Sequence, residues 1–282
     1  MNNKTVLITG GSKGIGKETA KLLAATGARI IIACRNLENG EKACEEIVLT
    51  TNNSNIALRL VDLSDFKSVR EFADKIVSTE FRLDVLIHCA AILLDKNMLA
   101  PNGFDLTMAT NTMGPFLLTH LLVDLLKRSA PSRIVYMTSS THFYGKITFD
   151  ELNNYIPSKW PQYNYFNSKF ANMCIANELA RRLEQLNVTV NSVHPGIVIP
   201  EKFKSVPLPA FIRKKIFKTP EEGAVFIANI ALNEELLNVT GQYFNKFKKS
   251  HMSIRTMHEE KNEEIWEILK IQTGVSGFDP RM

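Results

Sequence analysis

Short apolar, β-branched runs alternate along the chain with longer segments whose apolar residues recur at helical spacing. Val6–Thr9, Arg29–Ala33, Ile56–Val61, Val85–Cys89, Arg133–Thr138 and Thr189–Val193 predict strands. Gly16–Ala25, Lys67–Val77 and Phe170–Glu184 predict helices between them. The strands are nearly continuous in apolar residues, as expected where helices cover both faces of a sheet. The alternation reads as repeated βαβ units. The expected fold class is therefore α/β, a doubly wound parallel sheet in one domain spanning residues 1–282. No internal repeat or linker interrupts it.

One stretch breaks the pattern. Residues 199–218 hold Pro200, Pro207 and Pro209, and mix Phe203, Leu208, Phe211, Ile212, Ile216 and Phe217 with Lys202, Lys204, Arg213, Lys214, Lys215 and Lys218. Prolines oppose a continuous helix, and the apolar residues are too many for a solvated loop. A C-terminal substrate lid is expected here. The alternative is peripheral contact with an intracellular membrane through the same basic and aromatic residues. Thr219-Pro220-Glu221-Glu222 then reads as a helix start, with a threonine cap, proline in the first turn and acids behind it.

Composition changes this picture little. Hydrophobic residues make up 45% of the chain and charged residues 22%, ordinary for a globular protein. A net charge of +5 without clustering does not point to nucleic acid. Cys34, Cys44, Cys89 and Cys174 are scattered without a CxxC, which argues against a disulfide framework or a metal site. The N-terminus runs directly into the first strand, leaving no room for a signal peptide ahead of it. A cytoplasmic protein is expected. Monomer and homo-oligomer both stay open.

Thr9-Gly10-Gly11-Ser12-Lys13-Gly14-Ile15-Gly16 follows the first strand and opens a helix. Glycines at such a turn let the backbone approach a pyrophosphate, which the helix N-terminus attracts. At the end of the second strand an acid would bind ribose hydroxyls and select NAD. Cys34 and Arg35 stand there instead, and Lys13 lies in the glycine turn. Two cations near the adenosine ribose favour a 2′-phosphate, so NADP(H) is the expected cofactor. Asp62-Leu63, after the third strand, could frame the adenine or cap the following helix.

Tyr165 and Lys169 are spaced i and i+4, which places both on one helix face. An ammonium near a phenol lowers the phenol's pKa, and the pair can then act as a tuned general acid/base. Tyr144 and Tyr163 lack a lysine four residues on; Tyr155 has Lys159 at that spacing, but Pro157 between them opposes a helical turn.

Taken together these motifs resemble the short-chain dehydrogenase/reductase family over nearly the whole chain. Thr9–Gly16 matches its TGxxxGxG turn, Tyr165 and Lys169 its YxxxK, and Asn111 its helix asparagine. Ser140, closing Ile134–Ser140, matches its catalytic-serine strand, and Pro195-Gly196 its turn beside the nicotinamide. Asn111–Leu122, Ala130–Ile134, Asn167–Asn172 and Lys218–Ala224 are similar to the retinol dehydrogenase branch. The resemblance implies a Rossmann fold and a small apolar carbonyl or alcohol substrate, such as a retinoid or lipid aldehyde. It implies that Tyr165 donates the proton, Ser140 a second hydrogen bond, Lys169 tunes the phenol, and Asn111 orders a water reaching Lys169. Ser139 competes with Ser140, since strand alternation lets only one of them face the substrate; the family's spacing favours Ser140. The cofactor is expected against Gly10, Ser12, Lys13, Gly14, Ile15 and Gly16, then Arg35, Asp62, Leu63 and Ala90, and finally Tyr165, Lys169, Pro195, Gly196 and Val198.

The chain departs from the family at His88-Cys89-Ala90-Ala91, where Asn-Asn-Ala-Gly is usual. The change removes side-chain amides and adds a methyl beside the cofactor. His88 is expected to be a strand histidine with one local partner. This departure is the sole support for the alternative function, a nucleotide-binding regulatory or scaffold protein without turnover.

Overall fold

The computed structural model describes residues 3–147, 157–198 and 217–275. Six parallel strands form the centre: β1 Thr5–Thr9, β2 Arg29–Cys34, β3 Ile56–Leu60, β4 Val85–His88, β5 Ser132–Met137 and β6 Val188–His194, in the order β3-β2-β1-β4-β5-β6. Ile197–Val198 (β7) pairs in parallel with Phe217–Lys218 (β8) as a separate ribbon. Gln242–Asn245 (β9) extends the main sheet in parallel beyond β6, and Lys248–Lys249 (β10) closes that edge antiparallel. The order reverses between β1 and β4, and ligands bind beyond the strand C-termini at such a switch point.

The helices are α1 Gly14–Ala24, α2 Leu37–Thr51, α3 Phe66–Thr79, α4 Gly114–Arg128, α5 Gln162–Leu183, α6 Pro220–Leu232 and α7 Glu259–Thr273. Strand alternation sends successive side chains to opposite faces. Leu7 and Ile31 pack under α3, α4, α5 and α7 in one core layer. Val6, Ile8, Ile30 and Ile32 pack under α1, α2 and α6 in the other. Each such fully buried side chain contributes about 1.5–3 kcal/mol of transfer free energy.

Local chemistry sets the helix starts. Asp65 caps α3 by accepting from Lys67 N at 3.0 Å. Asp62 is therefore free of that role, and accepts instead from Ser64 N at 2.9 Å. Thr219 and Glu222 form a reciprocal capping box at α6, the start its sequence predicts. Helix α5 begins at Gln162, well before the expected Phe170, immediately after Pro161, whose fixed φ suits a helix start. Tyr165 thus lies in the helix that carries Lys169.

Buried Glu178 of α5 accepts from Arg181 and Arg182. The Arg182 guanidinium lies over the Trp266 ring of α7, 4.7 Å from its centroid. Arg70 of α3 donates to Thr273 O at 2.6 Å and Gly274 O at 3.0 Å. It thereby satisfies carbonyls that the end of α7 leaves open.

Residues 199–216, which hold almost all of the expected lid, lie outside the described residues, as does Tyr155. Among the described residues, no helix is long and apolar enough to cross a membrane, and no group of three His, Cys, Asp or Glu side chains is arranged to hold a metal ion.

Candidate active site

The β1–α1 turn is shaped by what its glycines exclude. Gly10 has φ +69°, and a Cβ there would sit 2.8 Å from Ala90 Cα. A Cβ on Gly16 would collide with the Gly10 carbonyl oxygen. Lys13 precedes α1 without a side-chain cap, and the first turn of α1 carries no acid. Its open N–H groups and positive dipole end suit an anion. The turn borders an open cleft of about 430 Å³. Gly10, Ser12, Lys13, Ile15, Gly16, Arg35, Asp62, Leu63 and Ala90 all line it, as the sequence leads one to expect. Gly14, at φ +55°, shapes the turn from behind. Pro195, Gly196 and Val198 lie beyond the end of β6, where Gly196 adopts φ +91°.

The cleft has walls that motif reading missed: Cys34, Asn36, Asn39, Val61, Cys89, Ala91, Ile92, Thr110 and Met137. Most sit within a few residues of a strand C-terminus, and that position alone could have flagged them. Burial pushes the Cys34 thiol up, against its hydrogen bonds with the Ser12 side chain and the Asn36 backbone, which lower it. Arg35 stands largely exposed, its Nη1 3.7 Å from Asp62 Oδ2.

His88 Nε2 lies 2.8 Å from Thr119 Oγ1, whose own proton goes to Pro115 O. Thr119 therefore accepts from the ring, and from Tyr136 at 3.2 Å. Burial lowers the His88 pKa to about 3. This is a neutral core histidine with a local partner. Ala91 is exposed on the cleft wall, so the extra methyl faces the cleft rather than the sheet.

The acid/base half lies on α5. The Lys169 ammonium sits 5.4 Å from the Tyr165 ring centroid and donates to Met137 O at 3.0 Å. Met137 also lines the cleft, so one residue joins the two halves. Burial lowers Lys169 to about 8, with the nearby Cys89 opposing it. The Tyr165 pKa moves opposite to the expected direction: burial raises it, and a hydrogen bond with the Ser139 hydroxyl is what lowers it. A buried phenolate is penalised, and the lysine is itself drawn toward neutrality, so burial outweighs the neighbouring charge.

The serine facing Tyr165 is thus Ser139, not Ser140. Strand β5 ends at Met137, and Ser139 stays extended at φ −148° and ψ 153°. Two residues beyond cleft-lining Met137, it shares Met137's face. The chain then turns, with Ser139 Oγ accepting from Thr141 N at 3.2 Å. Ser140 opens the 3-10 turn Ser140–Phe143. Counting parity from Met137 points to Ser139, one residue before the position that the motif spacing favours.

Asn111 lies in the π-helical stretch Ala109–Met113, which leads into α4. Its Oδ1 accepts from Ile92 N at 2.8 Å, and its Nδ2 donates to Ile92 O at 2.9 Å and Ser168 Oγ at 3.1 Å. Ser168 Oγ in turn donates to Tyr165 O at 2.7 Å. Asn111 therefore clamps the cleft wall after Ala91 onto the helix of Tyr165. π-helical turns of this kind occur frequently at functional sites. The competitors Tyr144 and Tyr163 line a separate hollow with Trp160 and Lys146.

A phosphate-ready turn at the switch point of a parallel sheet, joined to a half-buried tyrosine and serine beside a buried lysine, defines a nucleotide-dependent oxidoreductase. The short chain dehydrogenase family model matches residues 4–207, and the chain belongs to that family. It is an oxidoreductase acting on an alcohol or carbonyl group. It is 41% identical to retinol dehydrogenase 12 of Bos taurus, over 94% of this chain and 84% of that protein. With retinol dehydrogenase 14 of Homo sapiens it shares 37% identity, over 98% and 88%. A short chain dehydrogenase of Escherichia coli, solved in complex with NADPH, superposes with a TM-score of 0.71 at 25% identity, over 88% of this chain and 98% of that one. Nothing in these similarities favours a protein without turnover.

Proposed function

We propose that the protein is an NADP(H)-dependent oxidoreductase that interconverts an apolar carbonyl compound and its alcohol, with a retinoid or a lipid aldehyde as the substrate type. The observation that carries this is the Tyr165–Lys169–Ser139 group, its lysine buried, linked through Met137 to the nucleotide cleft. The substrate class rests on the relatives named retinol dehydrogenases.

The residues present fit the cofactor. Gly10 and Gly16 let the turn close tightly against Ala90 and onto itself, where any Cβ would collide, and so keep the backbone within reach of a pyrophosphate. The uncapped start of α1 takes the pyrophosphate. Arg35 and Lys13, with no acid at the end of β2, take the 2′-phosphate. Ala90 and Met137 face the nicotinamide end, followed by Pro195, Gly196 and Val198. When bound, NADPH supplies a hydride to the carbonyl carbon.

The protein handles the proton. Tyr165 Oη hydrogen-bonds the carbonyl oxygen and gives up its proton as negative charge grows there. Ser139 donates a second hydrogen bond to that oxygen, a donor already placed before the charge develops. Lys169, buried beneath Tyr165, favours the phenolate left behind and is placed to reach the nicotinamide ribose. In the oxidative direction the phenolate takes the proton back from the alcohol.

The test is a panel of retinoids, aliphatic aldehydes, steroids and quinones, assayed with NADPH and NADH. Substrate-dependent oxidation of NADPH, strongest with long apolar carbonyls, is expected. Tyr165→Phe should lower turnover by at least the ~10²-fold typical of general acid/base groups while cofactor binding survives. Near-normal turnover in Tyr165→Phe refutes the assignment.

A further inference from the structure

The turn that presents Ser139 is held from behind by an imidazole. His142 is fully buried. Its Nδ1 lies 2.7 Å from Ser139 O, and its Nε2 lies 3.3 Å from Ser253 N. A carbonyl can only accept and a main-chain N–H can only donate. The ring is therefore the neutral tautomer with its proton on Nδ1. It donates to the serine's carbonyl and accepts from the amide of Ser253.

Ser253 lies between β10 and α7 and is itself tied down. Thr256 Oγ1 donates to Ser253 O at 2.7 Å, and Asn177 of α5 donates to Thr256 O at 2.7 Å. Arg255 donates to Phe143 O at 2.7 Å. The imidazole thus bridges a segment anchored on α5 to the backbone of the serine that hydrogen-bonds Tyr165.

We infer that His142 is a positioning residue for Ser139, fixing the serine hydroxyl against Tyr165 by docking the Ser139 carbonyl onto residues 253–256. This rests on the roles of Tyr165 and Ser139 proposed above. Among the described residues, the only other main-chain restraint on the Ser139 carbonyl is the turn's own bond from His142 N at 3.1 Å. A short 3-10 turn closed by such bonds alone is a weak hold. The ring's surroundings keep it neutral. It packs against Phe143 and against Tyr243 of β9, with ring centroids 4.1 and 4.9 Å away. Burial lowers its pKa, the Ser139 carbonyl opposes this, and the Arg255 charge lowers it further. His194, at the end of β6, is electrostatically coupled to it. A protonated ring could not accept from Ser253.

The readout is the pH profile of alcohol oxidation, whose rate rises as Tyr165 becomes phenolate. The hydrogen bond from Ser139 lowers the Tyr165 pKa, so loss of that bond must move the rise to higher pH. The other charged group beside Tyr165, Lys169, with Cys89 beyond it, is the same in every variant. Ser139→Ala should show the shift. His142→Ala should show it in the same direction, with kcat down by up to roughly 10²-fold, as for misplacing one catalytic group, and with the KM for NADP unchanged. In the Ser139→Ala background, His142→Ala should add no further shift, since residues acting through one another are not additive. His142→Asn, whose Nδ2 replaces the Nδ1 donor, should restore the wild-type profile in large part.

A shift in Ser139→Ala that His142→Ala does not share overturns the inference. So does an additional shift of full size in the double variant, which would mean general loosening. If Ser139→Ala itself leaves the profile unmoved, the reading of Ser139 fails and this inference falls with it. Should His142→Ala not fold, Ser253→Pro serves. Ser253 has φ −57°, which proline adopts, and the change removes the amide donor together with a hydroxyl that makes no capping hydrogen bond. A smaller shift in the same direction is expected there, and an unmoved profile overturns the inference.

Discussion

Replacing Arg35 by glutamine tests the cofactor assignment at one atom group. In the free protein the Arg35 guanidinium sits 3.7 Å from the Asp62 carboxylate, with 72% of its side chain exposed. An exposed pair of this kind is worth roughly 0–1 kcal/mol, so the fold should hardly notice the substitution. A 2′-phosphate, by contrast, would take charge-assisted hydrogen bonds from the guanidinium, worth roughly 1.5–3 kcal/mol. Loosening the Asp62 pair offsets part of this. The net loss is about 1–3 kcal/mol, or roughly a five- to 150-fold weaker Kd for NADPH. NADH lacks the phosphate and should bind Arg35→Gln as it binds the wild type. Fluorescence titration with both nucleotides, beside a thermal melt, measures all three quantities. An equal fall for NADH and NADPH would show that Arg35 supports the cleft and not the phosphate. Wild-type protein that already binds NADH as tightly as NADPH would refute the NADP assignment whatever the variant does.

Two further substitutions probe the frame around the site. Thr219→Ala breaks the capping box of α6 and should cost about 0.5–2 kcal/mol in denaturant unfolding; since Gly223 of this helix faces Ile15 of the cofactor turn, NADPH affinity should fall as well, and an unchanged midpoint would count against the box. Asp84 is 2% exposed; burial raises its pKa, but Arg82, the Thr5 amide and Lys4 together bring it below the ordinary value. A depressed carboxyl pKa stabilises the fold above the unfolded value, near 4, and that stability is lost as pH falls through the folded value. Asp84→Asn should therefore melt several degrees below wild type at pH 7, with the gap closing in acid; a gap constant down to the acid transition would refute this.

What the sequence made legible followed from periodicity and from special backbone. The central strands stood out because most are nearly continuous in apolar residues, β6 with Thr189, Asn191 and Ser192 the least so. The glycine turn stood out because Gly10 and Gly16 answer to backbone contacts that no other residue tolerates. The i, i+4 spacing of Tyr165 and Lys169 needed only a helix, and α5 provides it. Reading failed where the outcome depended on three-dimensional parity or burial. Motif spacing favours Ser140 over Ser139, and the end of β5 at Met137 puts Ser139 on the cleft-facing side instead. The direction of the Tyr165 pKa needed the burial of both partners, which spacing does not carry. The cleft walls at Thr110 and Asn39 come from helices that approach the strand ends only in the folded sheet. Helix α7 was missed as well, because its apolar residues are spread among five glutamates and two lysines, and its partner Arg182 reads in sequence as a solvated charge.

The packing of α7 has a consequence for how the chain is made. Arg70 meets the main chain of residue 273 across 203 residues of sequence. Trp266 closes the α4 and α5 layer beside Phe116, with ring centroids 5.0 Å apart. Synthesis runs from the N-terminus, and the nucleotide turn can form early from β1, α1 and β2 alone. The helix of Tyr165 and Lys169 cannot bury its far face until residues 259–273 have left the ribosome. Contacts at such separation are entropically expensive and close late. A nascent chain stalled before Trp266 would thus hold a finished phosphate cradle beside an unfinished proton donor, with the apolar faces of α4 and α5 open to chaperones or to aggregation.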